Sequence, residues 1–497
     1  MVFHSYAFLL GFLPAVLLAS HVFGKYGGRH GQLYALLAGS LVFYGWWSLP
    51  FLAILLVSAT MNFSLGRLLR ASRQKPSRGK WILIGAIALN LALLGYFKYV
   101  NFFIESINAF VANPIALHPL LLPIGISFYT FQQIVYLVDV YNEDDVPVNF
   151  SPYLLFVVFF AYVTSGPITK QRDIVTEFNR PRVPLDAERL LVALALFAVG
   201  LFKKLVIADN IGPWANTVFD AAQTGVALSA IDAWLGATVF LFQLYFDFSG
   251  YCDMALALGF LFGIALPINF NSPLQAKSAT EFWQRWHITL TRIITNYLYM
   301  PIAIRVMRAT QRFELGKAAH FLLAVAFPLI VTFLIAGLWH GAGWTFVMFG
   351  LVWGVALTIN HAWRSTGWTL PSPLAWLLTM GVAVISMVFF RADSMSSAAS
   401  LLASMLGNSP AAVTLLPVGL ATLTIVALFA LVLGAPNAPQ IMRAFPISTD
   451  EVEPPQSPIA RRLTWQFRTV DVALVAVALV IAALSIGDSS SFLYYKF

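Results

Sequence analysis

Apolar runs dominate this chain, and their lengths set its architecture before any single residue is considered. A helix needs roughly 20 consecutive apolar residues to cross a bilayer. Runs near that length fall at 7–23, 33–49, 51–65, 81–104, 120–140, 190–206, 230–250, 321–338, 344–362, 374–390, 413–433 and 472–486. The pattern predicts an all-α, polytopic transmembrane helical protein with about twelve crossings. Two stretches break it. Residues 156–166 are too few to cross, and 250–299 mixes apolar residues with Pro267, Asn269, Asn271, Pro273 and several charges. Irregular backbone at membrane depth is tolerated only where protein or a water-filled cavity surrounds it. Both stretches are therefore expected to be re-entrant or broken helices around a central cavity, lined chiefly by 250–299. A hydrophilic segment rich in Pro and acidic residues, 436–458, follows late in the chain. The expected division is a transmembrane catalytic body over 1–435, a cytosolic linker over 436–469, and a last transmembrane helix with a C-terminal aromatic motif over 470–497.

Of the 497 residues, 59% are hydrophobic and only 10% charged, which excludes an ordinary soluble globular protein. Net charge is +8, yet Lys and Arg occupy short loops, so they read as orientation signals and not as a nucleic-acid surface. Lys25 and Arg29 follow the first run, and Arg67, Arg70, Arg73, Lys75, Arg78 and Lys80 crowd one loop; Lys170, Arg172, Arg180 and Arg182, the stretch 292–317 and the loop 443–468 are basic again. The positive-inside rule puts these in the cytosol, and the loop 108–118, without Lys or Arg, outside. Parity then places both termini outside, in the periplasm if the cell has two membranes. Lys203 and Lys204 conflict with that count. Either the crossing there is shorter than its apolar run, or the two lysines face a polar interior. The N-terminal Met1-Val2-Phe3-His4-Ser5-Tyr6 lacks a positive n-region and a cleavage site, so it reads as a retained first span. Cys252 is the single cysteine; no intrachain disulfide, Cys-based cluster or other metal site is expected.

Ionisable residues at membrane depth are costly, and their default reading is a functional site. His287 stands in Trp286-His287-Ile288-Thr289-Leu290 and His340 in Gly337-Leu338-Trp339-His340-Gly341-Ala342-Gly343-Trp344. His340 closes a long apolar run, and the glycines after it would break the helix and bring backbone close to a ligand. A base and a buried, hydrogen-bonded structural histidine are its two readings. His287, beside Arg285 and Glu281, is either a helper to His340 or an orienting member of a polar network. Asp247 and Asp253 flank Ser249-Gly250; they orient a histidine or pair with a Lys or Arg. Trp286 and Trp339 line the site or simply pack. Lys98, Lys203, Lys204 and Arg391 read as snorkelling or interfacial charges, and His4, near the end of the first run, as interfacial.

Several strings occur in a fixed order: Phe3-His4-Ser5-Tyr6-Ala7-Phe8-Leu9; Gly95-Tyr96-Phe97-Lys98-Tyr99; Leu122-Pro123-Ile124-Gly125-Ile126-Ser127-Phe128-Tyr129; Gly200-Leu201-Phe202-Lys203-Lys204; Tyr245-Phe246-Asp247-Phe248-Ser249-Gly250-Tyr251-Cys252-Asp253; Pro267-Ile268-Asn269-Phe270-Asn271-Ser272-Pro273; the two histidine motifs; Phe389-Phe390-Arg391-Ala392; and Phe492-Leu493-Tyr494-Tyr495-Lys496-Phe497. Together they resemble the membrane-bound O-acyltransferase family, in the bacterial branch of alginate and peptidoglycan O-acetylation proteins and the teichoic acid D-alanyl transfer protein. The resemblance implies that family's fold, with His340 as catalytic base and His287 assisting. It implies an O-acetyltransferase that takes acetyl from a cytosolic thioester, acetyl-CoA, as substrate and holds no bound cofactor. The acceptor would be a cell-surface or exported polysaccharide, reached through a periplasmic partner with a serine nucleophile, of the SGNH kind. Membrane lipids would surround the chain in a bacterial inner membrane. The C-terminal motif is similar to one proposed to carry an acyl group, which makes Tyr494 a relay; an aromatic interfacial anchor is the other reading. Asn296 replaces a family carboxylate, and Ile302-Ala303 a Gly-Gly pair, in a stretch expected to line the access route. Donor and polymer thus stay open, as do D-alanyl transfer and, from another class, a transporter or polysaccharide-export subunit with a histidine proton relay.

Overall fold

The computed structural model describes residues 1–142, 146, 149–179, 185–313, 315–408, 414–455, 458–488 and 490–493. Helices make up nearly all of its regular structure; among the described residues the extended pairing is a single isolated bridge, Leu266 to Ser448. Seven helices there are long and apolar enough to cross a membrane: Ala7–Gly45, Leu49–Ala71, Pro76–Asn108, Ala187–Gln223, Lys317–His340, Trp344–Ser365 and Ser372–Arg391. Met395–Met405, Val418–Gly434 and Thr469–Leu484 are shorter apolar helices. The expected runs 7–23 and 33–49 share the stretch Ala7–Gly45, which reverses at Gly28. That residue sits at φ 60° and ψ −149°, a conformation a side chain would strain. The two arms then pack face to face, with Phe12 and Phe43 rings 5.6 Å apart.

Helix Ala230–Leu261 is buried along most of its length, so its Asp247 and Asp253 are carried in protein and not in lipid. The stretch 156–166 begins as the end of helix Phe150–Val158 and is non-helical from Phe159 onward, with its side chains buried throughout. Backbone groups of this stretch and of the residues just after it find side-chain partners: Ser40 Oγ accepts from Phe160 N–H at 3.2 Å, and Thr289 Oγ1 from Ile168 N–H at 3.0 Å. This is the condition under which irregular backbone survives at membrane depth.

Several loops that the charge pattern assigns to one side also touch. Arg29 donates to the carbonyls of Glu177 (2.6 Å) and Gly263 (3.0 Å), and Arg70 and Arg73 to those of Val146 and Val140. The hydrophilic segment after residue 435 packs on the body. Asp450 accepts from Ile268 N–H at 2.8 Å and pairs with Arg292 at 2.7 Å, while Asn437 donates to Asn271 Oδ1 and Ser272 Oγ, each at 3.0 Å.

Candidate active site

The local chain at His287 is built by a break between two short helices. Ser278 caps Ala279–Arg285 by accepting from Glu281 N–H, and Ile288–Ile294 begins directly after His287. His287 itself lies in the left-handed region, φ 44° and ψ 50°, uncommon for a non-glycine residue. Asn269 holds it there. The Asn269 carbonyl accepts from Ile288 N–H at 3.0 Å, and Asn269 Oδ1 accepts from Thr289 N–H (3.2 Å) and the Thr289 hydroxyl (2.8 Å) and lies 3.1 Å from His287 Nδ1. Because a backbone N–H can only donate, the atom facing Thr289 is the amide oxygen. The neutral His287 ring therefore carries its proton on Nδ1, leaving the lone pair on Nε2. Asn269 Nδ2 in turn donates to Cys252 Sγ at 3.2 Å, tying the loop to helix Ala230–Leu261.

His340 is the last residue of helix Phe327–His340. That helix lies hard against Trp344–Ser365: a Cβ at Gly337 would collide with the Phe346 carbonyl, and one at Gly350 with the Phe333 carbonyl. Only glycine allows this approach, which aims the helix end at His287. Lys98 satisfies that end. Its ammonium donates to the carbonyls of Trp339 (2.6 Å) and His340 (3.1 Å) and to Ser127 Oγ (3.1 Å), where a cation is favoured by the unpaired carbonyls and the helix dipole. Tyr99 donates to the Leu338 carbonyl at 2.7 Å. Lys98 is thus part of the scaffold of His340 and not the snorkelling charge expected from its position.

The two imidazoles meet with ring centroids 6.3 Å apart, His287 0% and His340 3% exposed. Trp339, Phe349 and Phe390 surround His340 at 4.9, 5.8 and 5.4 Å, and Phe248 stands edge-on to His287 at 4.9 Å. They arrive from different parts of the fold. His287 belongs to the loop region bound by Asn437 and Asp450, whereas Trp344, just beyond His340, donates to Ser106 Oγ at 3.2 Å beside the loop 108–118.

Of the other expected site residues, Trp339 touches both histidines, while Trp286 packs against Phe270 and Phe282. Asp247 and Asp253 pair with lysines: Asp247 with Lys204 at 2.7 Å and Asp253 with Lys203 at 2.6 Å. The polar-interior reading of Lys203 and Lys204 is the one realised, and neither lysine is a snorkelling charge. Asn296 is exposed on the π-helical segment Thr295–Tyr299. Its neighbour Tyr297 donates a short hydrogen bond to Asp139. Tyr494 lies outside the described residues. Sequence reasoning gave no role to Asn269 and Thr289, although the polar Asn269 between Pro267 and Pro273 was the available signal.

Fold and site together define a multi-pass helical membrane protein whose centre is a buried pair of histidines, one with a fixed tautomer. The family model described as the membrane-bound O-acyltransferase family matches residues 41–392; the chain belongs to that family and is an acyltransferase. It is 37% identical over 439 residues to the peptidoglycan O-acetyltransferase of Helicobacter pylori, covering 82% of this chain and 80% of that protein. To the probable alginate O-acetylase AlgI of Pseudomonas aeruginosa it is 36% identical over 405 residues, 80% of this chain and 73% of the relative. To the teichoic acid D-alanyltransferase of Streptococcus thermophilus it is 30% identical over 247 residues, 48% and 57% respectively.

Proposed function

We propose that this chain is an O-acetyltransferase for a cell-surface or exported polysaccharide, spanning a bacterial inner membrane with both termini outside. Acetyl comes from a cytosolic thioester, acetyl-CoA. The observation that carries the mechanism is the contact between His340 and a His287 whose Nδ1–H is held by Asn269. As an acceptor hydroxyl attacks the thioester carbonyl, the C–S bond breaks; His340 takes the hydroxyl proton and returns it to the departing thiolate. His287, its Nδ1–H committed to Asn269, assists through the lone pair on Nε2. The acceptor is the Tyr494 phenol, which becomes an acetyl ester on the outer side and is relieved of it by the serine nucleophile of a periplasmic, SGNH-like partner. The polysaccharide is the final acceptor.

Acetyl is favoured over D-alanyl because relatives named for O-acetylation are 36–37% identical over about four fifths of this chain, whereas D-alanyltransferases are 25–30% identical over 48–63% of it. His340→Ala tests the reading. Polymer acetyl content should fall to background while the protein is made and inserted at its normal level. Near-normal acetylation in cells carrying only this variant would remove His340 from the chemistry. Inverted membrane vesicles given acetyl-labelled CoA, in parallel with a D-alanyl thioester, decide the donor.

A further inference from the structure

Two buried charges, Lys204 and Asp247, and a partly buried third, Asp209, lie together beside the C-terminal segment. Lys204, its side chain fully buried, pairs with Asp247 at 2.7 Å and Asp209 at 2.9 Å. One ammonium against two carboxylates leaves acceptor oxygens that need donors. The C-terminal segment supplies them. Leu493 N–H donates to Asp247 Oδ2 at 3.0 Å and the Ser490 hydroxyl to Asp209 Oδ1 at 2.7 Å. Lys204 answers by donating to Ser490 Oγ (3.1 Å) and the Ser491 carbonyl (3.3 Å), with its ammonium 5.1 Å from the centre of the Phe492 ring. Phe492 is buried between Tyr251 and His4, each ring 4.9 Å away. His4, just before the first span, is thereby buried within the protein. Burial first, then the Lys204 charge, pushes its imidazole down to about 3, so this contact joins neutral rings at physiological pH.

Position along the helix gives the cluster its meaning. On Ala230–Leu261, Asp247 and Tyr251 are four residues apart and share one face; that face holds Leu493 and Phe492. Phe248 and Cys252 share the next face, about 100° round at 3.6 residues per turn, and these touch His287 and Asn269. Six consecutive residues of one helix therefore carry both the C-terminal anchor and the support of the histidine pair, on adjacent faces less than one helix diameter apart, on the order of 10 Å.

We infer that Lys204, Asp247 and Asp209 form a charged latch that positions the C-terminal segment for acyl transfer. Its catalytic consequence rests on the proposed relay, since Tyr494 directly follows the latched Leu493. The latch residues are positioning residues and touch no reacting atom. Full-length protein carrying Leu493→Cys, purified in detergent, reports on the latch through its rate of maleimide labelling, because Cys252 is buried. With the latch intact labelling should be slow. Lys204→Met should raise the rate at least tenfold and lower polymer acetylation by a similar factor. Because Lys204→Met strands two carboxylates, Phe492→Ala is the companion variant: it loosens the segment while both ion pairs stay, and the same two changes are expected. Unchanged labelling in both variants overturns the latch. Faster labelling with normal acetylation overturns its positioning role. Tyr494→Phe separates the two ideas: full acetylation there refutes the relay, whereas the labelling result stands or falls by itself.

Discussion

Replacing Asn269 with alanine tests whether the tautomer of His287 matters. The amide oxygen accepts from Thr289 N–H, from the Thr289 hydroxyl and from His287 Nδ1. In Asn269→Ala, three buried donors, Thr289 N–H, the Thr289 hydroxyl and His287 Nδ1–H, lose their acceptor, although the Thr289 oxygen still accepts from Ile168 N–H. A buried donor left unmade costs about 1–3 kcal/mol. The left-handed backbone of His287, which itself costs about 1–2 kcal/mol, loses part of what holds it. Counting only the Nδ1 contact, which fixes the lone pair on Nε2, the loss of transfer should be about 5- to 150-fold, at 1.36 kcal/mol per tenfold. The assay is polymer acetyl content at matched protein level, together with thermal aggregation of the purified protein. Asn269→Asp keeps an acceptor toward Nδ1 while giving up the Cys252 contact, so per folded molecule it should transfer better than the alanine variant. An alanine variant with more than half of normal acetylation would refute the argument that Asn269 sets the reactive face of His287.

Other parts of the site make further predictions. Gly350→Ala forces a methyl into the Phe333 carbonyl and should destabilise by about 1–3 kcal/mol, as overpacking does; an unchanged thermal midpoint would show that the helix pair has room to separate. Lys98→Met keeps the aliphatic stem but strands the Trp339 and His340 carbonyls, at about 1–3 kcal/mol, and should lower acetylation at normal expression; wild-type acetylation would mean that the helix end needs no cation. Reporters fused after Arg73 and after Ser457 should read as cytosolic and one after Phe497 as extracytoplasmic. A cytosolic C-terminus would break the charge parity and end the relay proposal.

Much of the fold could be read because hydrophobic run length is a one-dimensional signal. The membrane class, the helical architecture and the two interrupted stretches followed from it. The hairpin at Gly28 was visible as two runs, 7–23 and 33–49, separated by the polar, glycine-rich stretch that carries the reversal. The histidines stood out for the opposite reason: an imidazole in an apolar run is expensive and conspicuous. Asn269, Thr289 and Lys98 did not. Their roles depend on which backbone ends meet, and the Lys98 contact to His340 joins residues more than 200 positions apart, which no local pattern encodes.

Lys203 and Lys204 show how an apparent contradiction in sequence becomes information in three dimensions. Charge counting treats every lysine as a vote on which side of the membrane a loop lies, and these two voted against the parity of all the rest. A buried lysine with a carboxylate partner casts no such vote, because its charge is balanced inside the protein. Six positions separate Asp247 from Asp253 on one helix, and two adjacent lysines on the facing helix answer them. A misfit between basic residues and parity, with carboxylates elsewhere in an apolar run, is thus a signature of buried pairing. Where such pairing leaves an excess of carboxylate, as at Lys204, the neighbouring chain that supplies donors is the segment to examine for function.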